Sequence, residues 1–290
     1  FNLAHAYAAT GNIDNAKKQV EAAYVDDQAL KDGFSRIAWQ FYWPKKEYDK
    51  VIEWFERDAS VKRLSPGHRV NLAQAYAAKG DLLAAEQHIV AAYAESPEVK
   101  DGYARVAWQY FWPLKEYDKV IEWMGKDLED RSQETETRNQ KSEIAFSRLS
   151  PVWRLNLAQT YAAIGDIDNA KKQVEAAYVD DPTLKDGYSR IAWQFCWPKK
   201  EYCTVIELCI LDDQINRLSP VWRLNLAQAY ATTGDIDNAK QQVEAAYVDD
   251  PTLKDGYSRI AWQFCWPKKE YGKIIEFCAL DAKLGRLSPT

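Results

Sequence analysis

Eight of the twelve tryptophans in this sequence occur as pairs in which the second follows the first by four residues. The pairs are Trp39 and Trp43, Trp108 and Trp112, Trp193 and Trp197, and Trp262 and Trp266. On a helix this spacing places both indole rings on one face. Tryptophan offers a large contact area at a small entropic cost, so the pairs could bind an extended peptide, a partner helix or a sugar chain. Alternatively, the rings fill the space between neighbouring helices.

A basic residue precedes each tryptophan pair at a fixed distance. The four residues are Arg36, Arg105, Arg190 and Arg259. A guanidinium at this position could bind a carboxylate of a partner, or a glutamate of the adjacent repeat in the same chain. Both interpretations stay open at the level of sequence.

Residues suited to catalysis or metal binding are scarce. The three histidines, His5, His68 and His88, all lie in the first third of the chain. No nucleophile elbow, phosphate-binding loop, dinucleotide fingerprint or metal-ligand motif occurs in the sequence. The sequence therefore predicts a protein that is not an enzyme and that binds no metal or cofactor.

Composition limits the kinds of partner. Acidic residues outnumber basic residues 43 to 38, and the formal net charge is −5. Proteins that bind nucleic-acid phosphates normally have a basic face, so we expect no nucleic-acid partner. No apolar run of about 18 residues occurs, so we expect no membrane insertion. The chain opens on Phe1 without an initiating methionine, as an excerpt would, which leaves the compartment unknown; reduced cysteines would suit the cytoplasm.

The chain is built from repeats. The tetrapeptide Arg-Leu-Ser-Pro occurs at 63–66, 148–151, 217–220 and 286–289, and residues 148–216 match residues 217–285 at 56 of 69 positions. This spacing predicts one array over 1–290, with units 1–62, 63–147, 148–216 and 217–285 and the start of a further repeat at 286–290. The second unit holds a polar insertion at about 128–143, which we interpret as an exposed loop or a solvated helix extension.

The first half of each unit has the pattern of two helices. In the third unit, Leu157, Ala158 and Tyr161 fall on one helical face. Gly165 then relieves the end of that helix, and Asp166 caps the start of the next one. The second helix carries an apolar stripe and is closed by a proline.

These residues resemble the tetratricopeptide repeat, whose pattern of 34 residues has Leu-Ala and Tyr in the first helix, Gly at the turn, and Ala, a large apolar residue, Ala and Pro in the second. The third unit carries the pattern at Leu157, Ala158, Tyr161, Gly165, Ala170, Val174, Ala177 and Pro182. The fourth unit carries it at Leu226, Ala227, Tyr230, Gly234, Ala239, Val243, Ala246 and Pro251. The first two units carry it at Leu3 to Ala23 and at Leu72 to Pro97, with Gln28 in place of the final proline in the first.

The second half of each unit is a divergent copy of the repeat. Ile191, Ala192 and Phe195 occupy the Leu-Ala-Tyr positions, and Pro198 with its lysines replaces the turn glycine. The resemblance therefore implies an all-α fold. We expect a right-handed superhelical solenoid of about eight helix-turn-helix repeats, in which the first helix of each pair lines the concave wall.

The resemblance also implies which residues face the groove. The tryptophan pairs would lie on the concave wall or at its edge, together with Gln74, Gln159 and Gln228, while His5 stands at the equivalent place in the first unit. A protein or peptide partner is the expected ligand, and glycan binding by the tryptophan pairs is not excluded.

The cysteines show no metal or disulfide pattern. Internal comparison places Cys196 and Cys265 at the position of Tyr42 and Phe111, and Cys209 and Cys278 at the position of Phe55 and Met124. We therefore expect these four to be small buried apolar residues. Cys203 replaces an aspartate and is expected to be exposed.

The ends of the chain suggest an alternative function. No polar capping helix closes either end, whereas solenoids ordinarily need one. Copies could therefore stack head to tail into filaments or tubes. The contact would involve Phe1, Leu3, Ile274, Ile275, Phe277 and Cys278. The sequence thus favours an interaction scaffold that binds a peptide or protein in its concave groove, with a self-assembling structural protein as the alternative.

Overall fold

The computed structural model describes residues 1–128 and 147–288, and these contain sixteen α-helices and no β-strand. The all-α prediction is thereby confirmed, and the helices follow one another in tandem pairs, as in a solenoid of helical repeats. The insertion predicted at about 128–143 lies, apart from Leu128, outside the described residues.

The helices of the first two predicted units are α1 Asn2–Ala9, α2 Ile13–Asp26, α3 Gly33–Phe41, α4 Tyr48–Ser60, α5 Pro66–Ala78, α6 Leu82–Glu95, α7 Gly102–Val106 and α8 Tyr117–Leu128. The helices of the last two are α9 Pro151–Ala163, α10 Ile167–Asp180, α11 Gly187–Ile191, α12 Tyr202–Gln214, α13 Pro220–Thr233, α14 Ile236–Asp249, α15 Gly256–Ile260 and α16 Tyr271–Lys283.

The chain divides into two compact units, Phe1–Trp153 and Arg154–Thr290. Within each of them, helices that are consecutive in sequence pack against each other. First helices of successive pairs are also in contact, as in α1 with α3, α5 with α7 and α13 with α15. The finer division into four units of 69 residues stays a prediction.

The turn between the two helices of a pair follows the sequence prediction. Gly165 has a φ of 88°, in the left-handed region that glycine adopts without strain. The side chain of Asp166 then accepts a hydrogen bond of 3.1 Å from the backbone N–H of Asn169. This bond caps the start of α10, because it satisfies one of the N–H groups that a helix leaves unpaired.

The helices that carry the tryptophan pairs are less regular than the sequence indicates. In three of them the α-helix changes to a π-helical turn, over Ala107–Phe111, Ala192–Cys196 and Ala261–Cys265. The chain then reverses at a lysine with positive φ, which is 63° at Lys200. The sequence pattern alone predicted a continuous α-helix here.

The core of the second compact unit comes from both halves of the repeat. Ala158, Ala170 and Val174 from the first half are fully buried, and so are Val205 and Leu208 from the second half. The alanines allow the helices to approach closely, and the branched side chains fill the remaining space. The two halves are therefore bound to each other by one continuous apolar cluster.

Candidate binding surface

The two rings of each tryptophan pair are in contact. Trp193 and Trp197 are stacked with their centroids 4.2 Å apart and an interplanar angle of 19°. The pairs at Trp39 and Trp108 have the same separation, with angles of 19° and 16°. The rings of Trp262 and Trp266 lie 4.4 Å apart at 41°. The spacing of four residues thus puts both rings on one side of the helix.

Aromatic neighbours hold the stacked rings in place. Trp193 meets Trp222 of the next first helix edge to face at 6.5 Å, and Trp197 meets Tyr202 at 5.1 Å. Trp108 meets Trp153 in the same way at 6.3 Å. The rings therefore contribute to packing between helices, as one of the two interpretations requires.

The same rings also keep part of their surface in solvent. The first three pairs are half-buried, and Trp262 and Trp266 are 52% and 49% exposed. Packing between helices and contact with a ligand are consequently compatible. Ligand binding by the pairs stays a prediction.

Polar residues share the face with the rings. Arg190 precedes Trp193 by three residues and Gln194 follows it by one, and both are exposed. We call Arg190, Trp193, Gln194 and Trp197, with their equivalents in the other units, the tryptophan face. The equivalents are Arg36, Trp39, Gln40 and Trp43; Arg105, Trp108, Gln109 and Trp112; and Arg259, Trp262, Gln263 and Trp266.

Within residues 1–128 and 147–288, none of the four arginines of the tryptophan faces forms an ion pair with a carboxylate. The aspartate one turn before each arginine is engaged elsewhere. Asp186, for example, accepts a hydrogen bond of 2.6 Å from the backbone N–H of Ser219. The expected pairing with a glutamate of an adjacent repeat is therefore not seen in the described part of the chain.

The other residues predicted to face the groove are less accessible. Gln74 is buried and donates a hydrogen bond of 3.4 Å to Asn71, whereas Gln159 and Gln228 are half-buried. His5 packs against Phe41 with the ring centroids 6.2 Å apart. A role for these residues in binding stays a prediction.

The residues assigned to an end-to-end contact differ in exposure. Phe1 packs edge-on against Tyr24, and Ile274 and Phe277 are buried within their own compact unit. Cys278 is half-buried, whereas Leu3 and Ile275 are 52% and 70% exposed. Self-assembly through these residues stays a prediction.

Sequence reasoning missed a buried polar cluster that recurs in every unit. In the third unit, the Tyr178 hydroxyl accepts a hydrogen bond of 2.6 Å from Gly187 N–H and donates one of 2.5 Å to Asp212. The other carboxylate oxygen of Asp212 accepts from the N–H and the hydroxyl of Ser189 at 2.8 and 2.7 Å. The guanidinium of Arg217 lies over the Tyr178 ring at 4.2 Å from its centroid. We call these five residues and their equivalents the tyrosine junction; in the second unit Ala104 stands in place of the serine, and only its backbone N–H donates to the aspartate.

The tyrosine junction gives the repeated Arg-Leu-Ser-Pro tetrapeptide a structural role. Its arginine donates to the Tyr178 carbonyl at 3.2 Å, and its leucine, Leu218, is buried. Its serine precedes α13, which begins at Pro220. The signal that could have revealed the junction is the invariance of Tyr178 and Asp212 across the four units.

Burial shifts the ionisation of Asp58, Asp127 and Asp212. Desolvation raises the pKa of Asp127 to about 6, although hydrogen bonds from Tyr93 and Ala104 act in the opposite direction. Desolvation likewise raises the pKa of Asp58 and of Asp212. The low polarity of the surroundings disfavours the charged carboxylate.

One group of side chains has the composition of a hydrolase triad but not its geometry. His68 Nδ1 lies 3.1 Å from the Ser65 hydroxyl and 3.2 Å from an oxygen of Asp32. In a triad the serine and the aspartate contact different ring nitrogens, so that a proton can be transferred at one of them. Here both meet the same nitrogen, and the arrangement caps α5.

The cysteine predictions agree with the structure at most positions. Cys196, Cys209 and Cys265 are buried, Cys203 is exposed, and Cys278 is half-buried. Desolvation raises the pKa of the Cys196 thiol to about 11 and that of Cys209 to about 12. These thiols are therefore poor nucleophiles near neutral pH.

Two family models agree with the repeat assignment. Residues 1–24 and 223–247 match one tetratricopeptide repeat model, and residues 66–90 match a second. The crystal structure of the C-terminal part of a TPR repeat-containing protein from Cytophaga hutchinsonii has 18% sequence identity and a TM-score of 0.48, over 89% of this chain and 98% of that one. Comparison with curated proteins gave no match. Across the described ranges, every helix is too short or too polar to cross a membrane.

Proposed function

We propose that this chain, a helical repeat protein of the tetratricopeptide repeat family, is a scaffold that binds an extended segment of a partner protein along its tryptophan faces. Tetratricopeptide repeats generally mediate protein–protein interaction, and scaffolds of this fold are typically not enzymes. The location of the binding surface is our own proposal.

The observation that carries the proposal is the tryptophan face itself. In the third unit a stacked, partly exposed indole pair lies beside an exposed arginine and an exposed glutamine. The same combination occurs in the first unit, whereas Arg105, Gln109 and Gln263 are half-buried. Tryptophan and arginine are the residues that most often dominate the energy of protein interfaces.

Rigidity supports the same proposal. Because Trp197 is held by Trp193 and Tyr202, its ring loses little further freedom when a ligand binds. A pre-ordered surface contributes more of its contact energy to affinity than a mobile one. Hydrogen bonds from Gln194 to a peptide backbone would add orientation.

The proposal can be tested with a random peptide library displayed on phage and selected on the purified chain. We expect the selected peptides to lose affinity for Gln194→Ala, which is exposed, and to lose binding to the double variant Trp193→Ala with Trp197→Ala. Glu207→Gln, exposed on the second helix α12, is the matched control and should bind as the wild type does.

A second measurement uses the wild-type chain, so its result does not depend on whether the double variant folds. Chemical shifts of the tryptophan indole N–H groups in the wild-type chain should change at the paired tryptophans when a selected peptide is added. If the peptide binds while these indole chemical shifts stay unchanged, the binding site lies elsewhere on the chain.

A further inference from the structure

We infer that the partner segment is acidic, and that its carboxylates pair with the arginine of the tryptophan face that it contacts. This inference rests on the proposed function, because it concerns the ligand of the same surface. It names a chemical class of partner that neither the fold nor the family specifies.

The first argument is that the guanidinium groups of these arginines are not engaged in ion pairs within the described part of the chain. Arg36, Arg190 and Arg259 are exposed, and no carboxylate in the described part of the chain pairs with them. The preceding aspartates are occupied by the backbone N–H groups of Ser65, Ser219 and Ser288, at 2.6 to 2.7 Å. A guanidinium binds a carboxylate through two parallel hydrogen bonds, which is the strongest contact available to it.

The second argument is the charge at the end of the same helix. Exposed lysines follow the second tryptophan of each pair, as at Lys199 and Lys200. Lys200 has a φ of 63°, where glycine would be unstrained, and a lysine occupies this position in all four units. In the first, second and fourth units the nearby glutamate pairs with a lysine three residues later, as in the 2.7 Å pair of Glu116 with Lys119. The tryptophan faces are therefore locally basic in a chain whose formal net charge is −5.

The third argument separates an acidic peptide from a nucleic acid. Bases stack on an aromatic ring that is open to solvent. Each of Trp193 and Trp197 already has two aromatic neighbours, which leaves less ring surface for a base. A peptide needs only the exposed ring surface and a carboxylate in reach of the arginine.

The test compares three fluorescein-labelled probes by anisotropy at low salt. These are an extended peptide of alternating glutamate and tyrosine, the same peptide with glutamine for each glutamate, and oligothymidylate. We expect the glutamate peptide to bind at least about ten-fold more tightly than the glutamine peptide, because hydrogen bonds to charged groups are the stronger ones. Added salt should weaken only the glutamate peptide.

Variants connect the affinity to the arginines. The quadruple variant Arg36→Gln, Arg105→Gln, Arg190→Gln and Arg259→Gln should bind the two peptides equally weakly. The triple variant Lys18→Gln, Lys172→Gln and Lys283→Gln removes exposed positive charge from other helices and should keep the preference for glutamate. All of these substitutions are on exposed or half-buried side chains, so circular dichroism should show an unchanged fold.

The outcomes separate this inference from the proposed function. If the wild type binds both peptides with equal affinity, the inference of an acidic partner is wrong but the proposed function stands. The same conclusion follows if neither peptide binds while the library-selected peptides do. Failure of the library-selected peptides as well overturns the proposed function with it. Tighter binding of oligothymidylate than of the glutamate peptide would assign the surface to a nucleic acid.

Discussion

The hydroxyl of Tyr178 donates a hydrogen bond of 2.5 Å to Oδ1 of Asp212, which lies 34 residues further along the chain. The bond joins α10 of one helix pair to α12 of the next inside a buried environment. Since Gly187 N–H donates to the same hydroxyl, the tyrosine satisfies two partners at once. The contact couples neighbouring repeats by polar groups as well as by apolar packing.

Replacing Tyr178 with phenylalanine is expected to destabilise the chain by about 2 kcal/mol, because the buried N–H of Gly187 and the carboxylate of Asp212 lose a partner. Urea denaturation followed by circular dichroism measures the effect. Tyr202→Phe, which alters a partly exposed ring, is the matched control and should change stability by less than about 0.5 kcal/mol. Equal effects of the two substitutions would show that the junction bond adds no net stability.

Internal repetition makes much of this fold predictable, whereas the tyrosine junction is not. Gly165 and Asp166 specify a helix end and a helix start by local chemistry, and the structure has both. Asp212, in contrast, stands in a helix where a carboxylate is ordinarily solvated, and its partners lie far away in sequence. Only the folded arrangement of α10, α11 and α12 shows that this aspartate is buried.

The candidate site is predictable in part for the same reason. The spacing of Trp193 and Trp197 indicates a shared helix face, which is a local property. The stacking of the two rings and the contact with Trp222 depend on side-chain conformations and on the neighbouring helix. The π-helical turn over Ala192–Cys196 is likewise set by tertiary packing, since the apolar pattern does not distinguish it from an α-helix.

Arg217→Lys tests the role of the repeated tetrapeptide. Lysine keeps the charge but loses the planar group that lies over Tyr178 and the bond to its carbonyl oxygen. We expect a loss of about 1–2 kcal/mol in the free energy of unfolding. Arg190→Lys, on the exposed tryptophan face, should leave stability unchanged, and a comparable loss there would contradict the special role of Arg217.

Replacing two glycines of the first compact unit with alanine should change stability in opposite directions. A Cβ at Gly102 would lie 2.8 Å from the Tyr93 hydroxyl and 2.9 Å from Ile89 Cγ2, so Gly102→Ala should cost about 1–3 kcal/mol. Gly125, within α8, has no atom within 4 Å of such a Cβ. Gly125→Ala should therefore stabilise the helix by roughly 0.5–1 kcal/mol. Thermal denaturation of both variants measures the direction of each stability change. A stabilising Gly102→Ala would contradict the close packing of Gly102 against Tyr93 and Ile89.

Thiol labelling checks the environments of the cysteines. In the native chain Cys203 should react first with Ellman's reagent, because it is exposed. Cys196 and Cys209 should react only after denaturant is added, since burial raises their pKa values to about 11 and about 12 and blocks access. Cys203→Ser should remove the fast phase. A fast phase that persists in this variant would mean that another thiol is accessible.

The pKa of Asp127 predicts a loss of stability as pH rises. Burial raises this pKa to about 6 in the folded chain, whereas an unfolded aspartate titrates near about 4. The folded chain therefore binds the proton more tightly than the unfolded chain. The stability that protonated Asp127 contributes is fully present below about pH 4 and is lost as pH rises through about 6. A difference of about two pKa units corresponds to roughly 3 kcal/mol.

Urea denaturation from pH 4 to 7 should show this decline in the wild type relative to Asp127→Asn, while Asp118→Asn, exposed on the same helix, should run parallel to the wild type. A constant difference between wild type and Asp127→Asn over this range would mean that the junction carboxylate stays ionised, held by Tyr93 and Ala104.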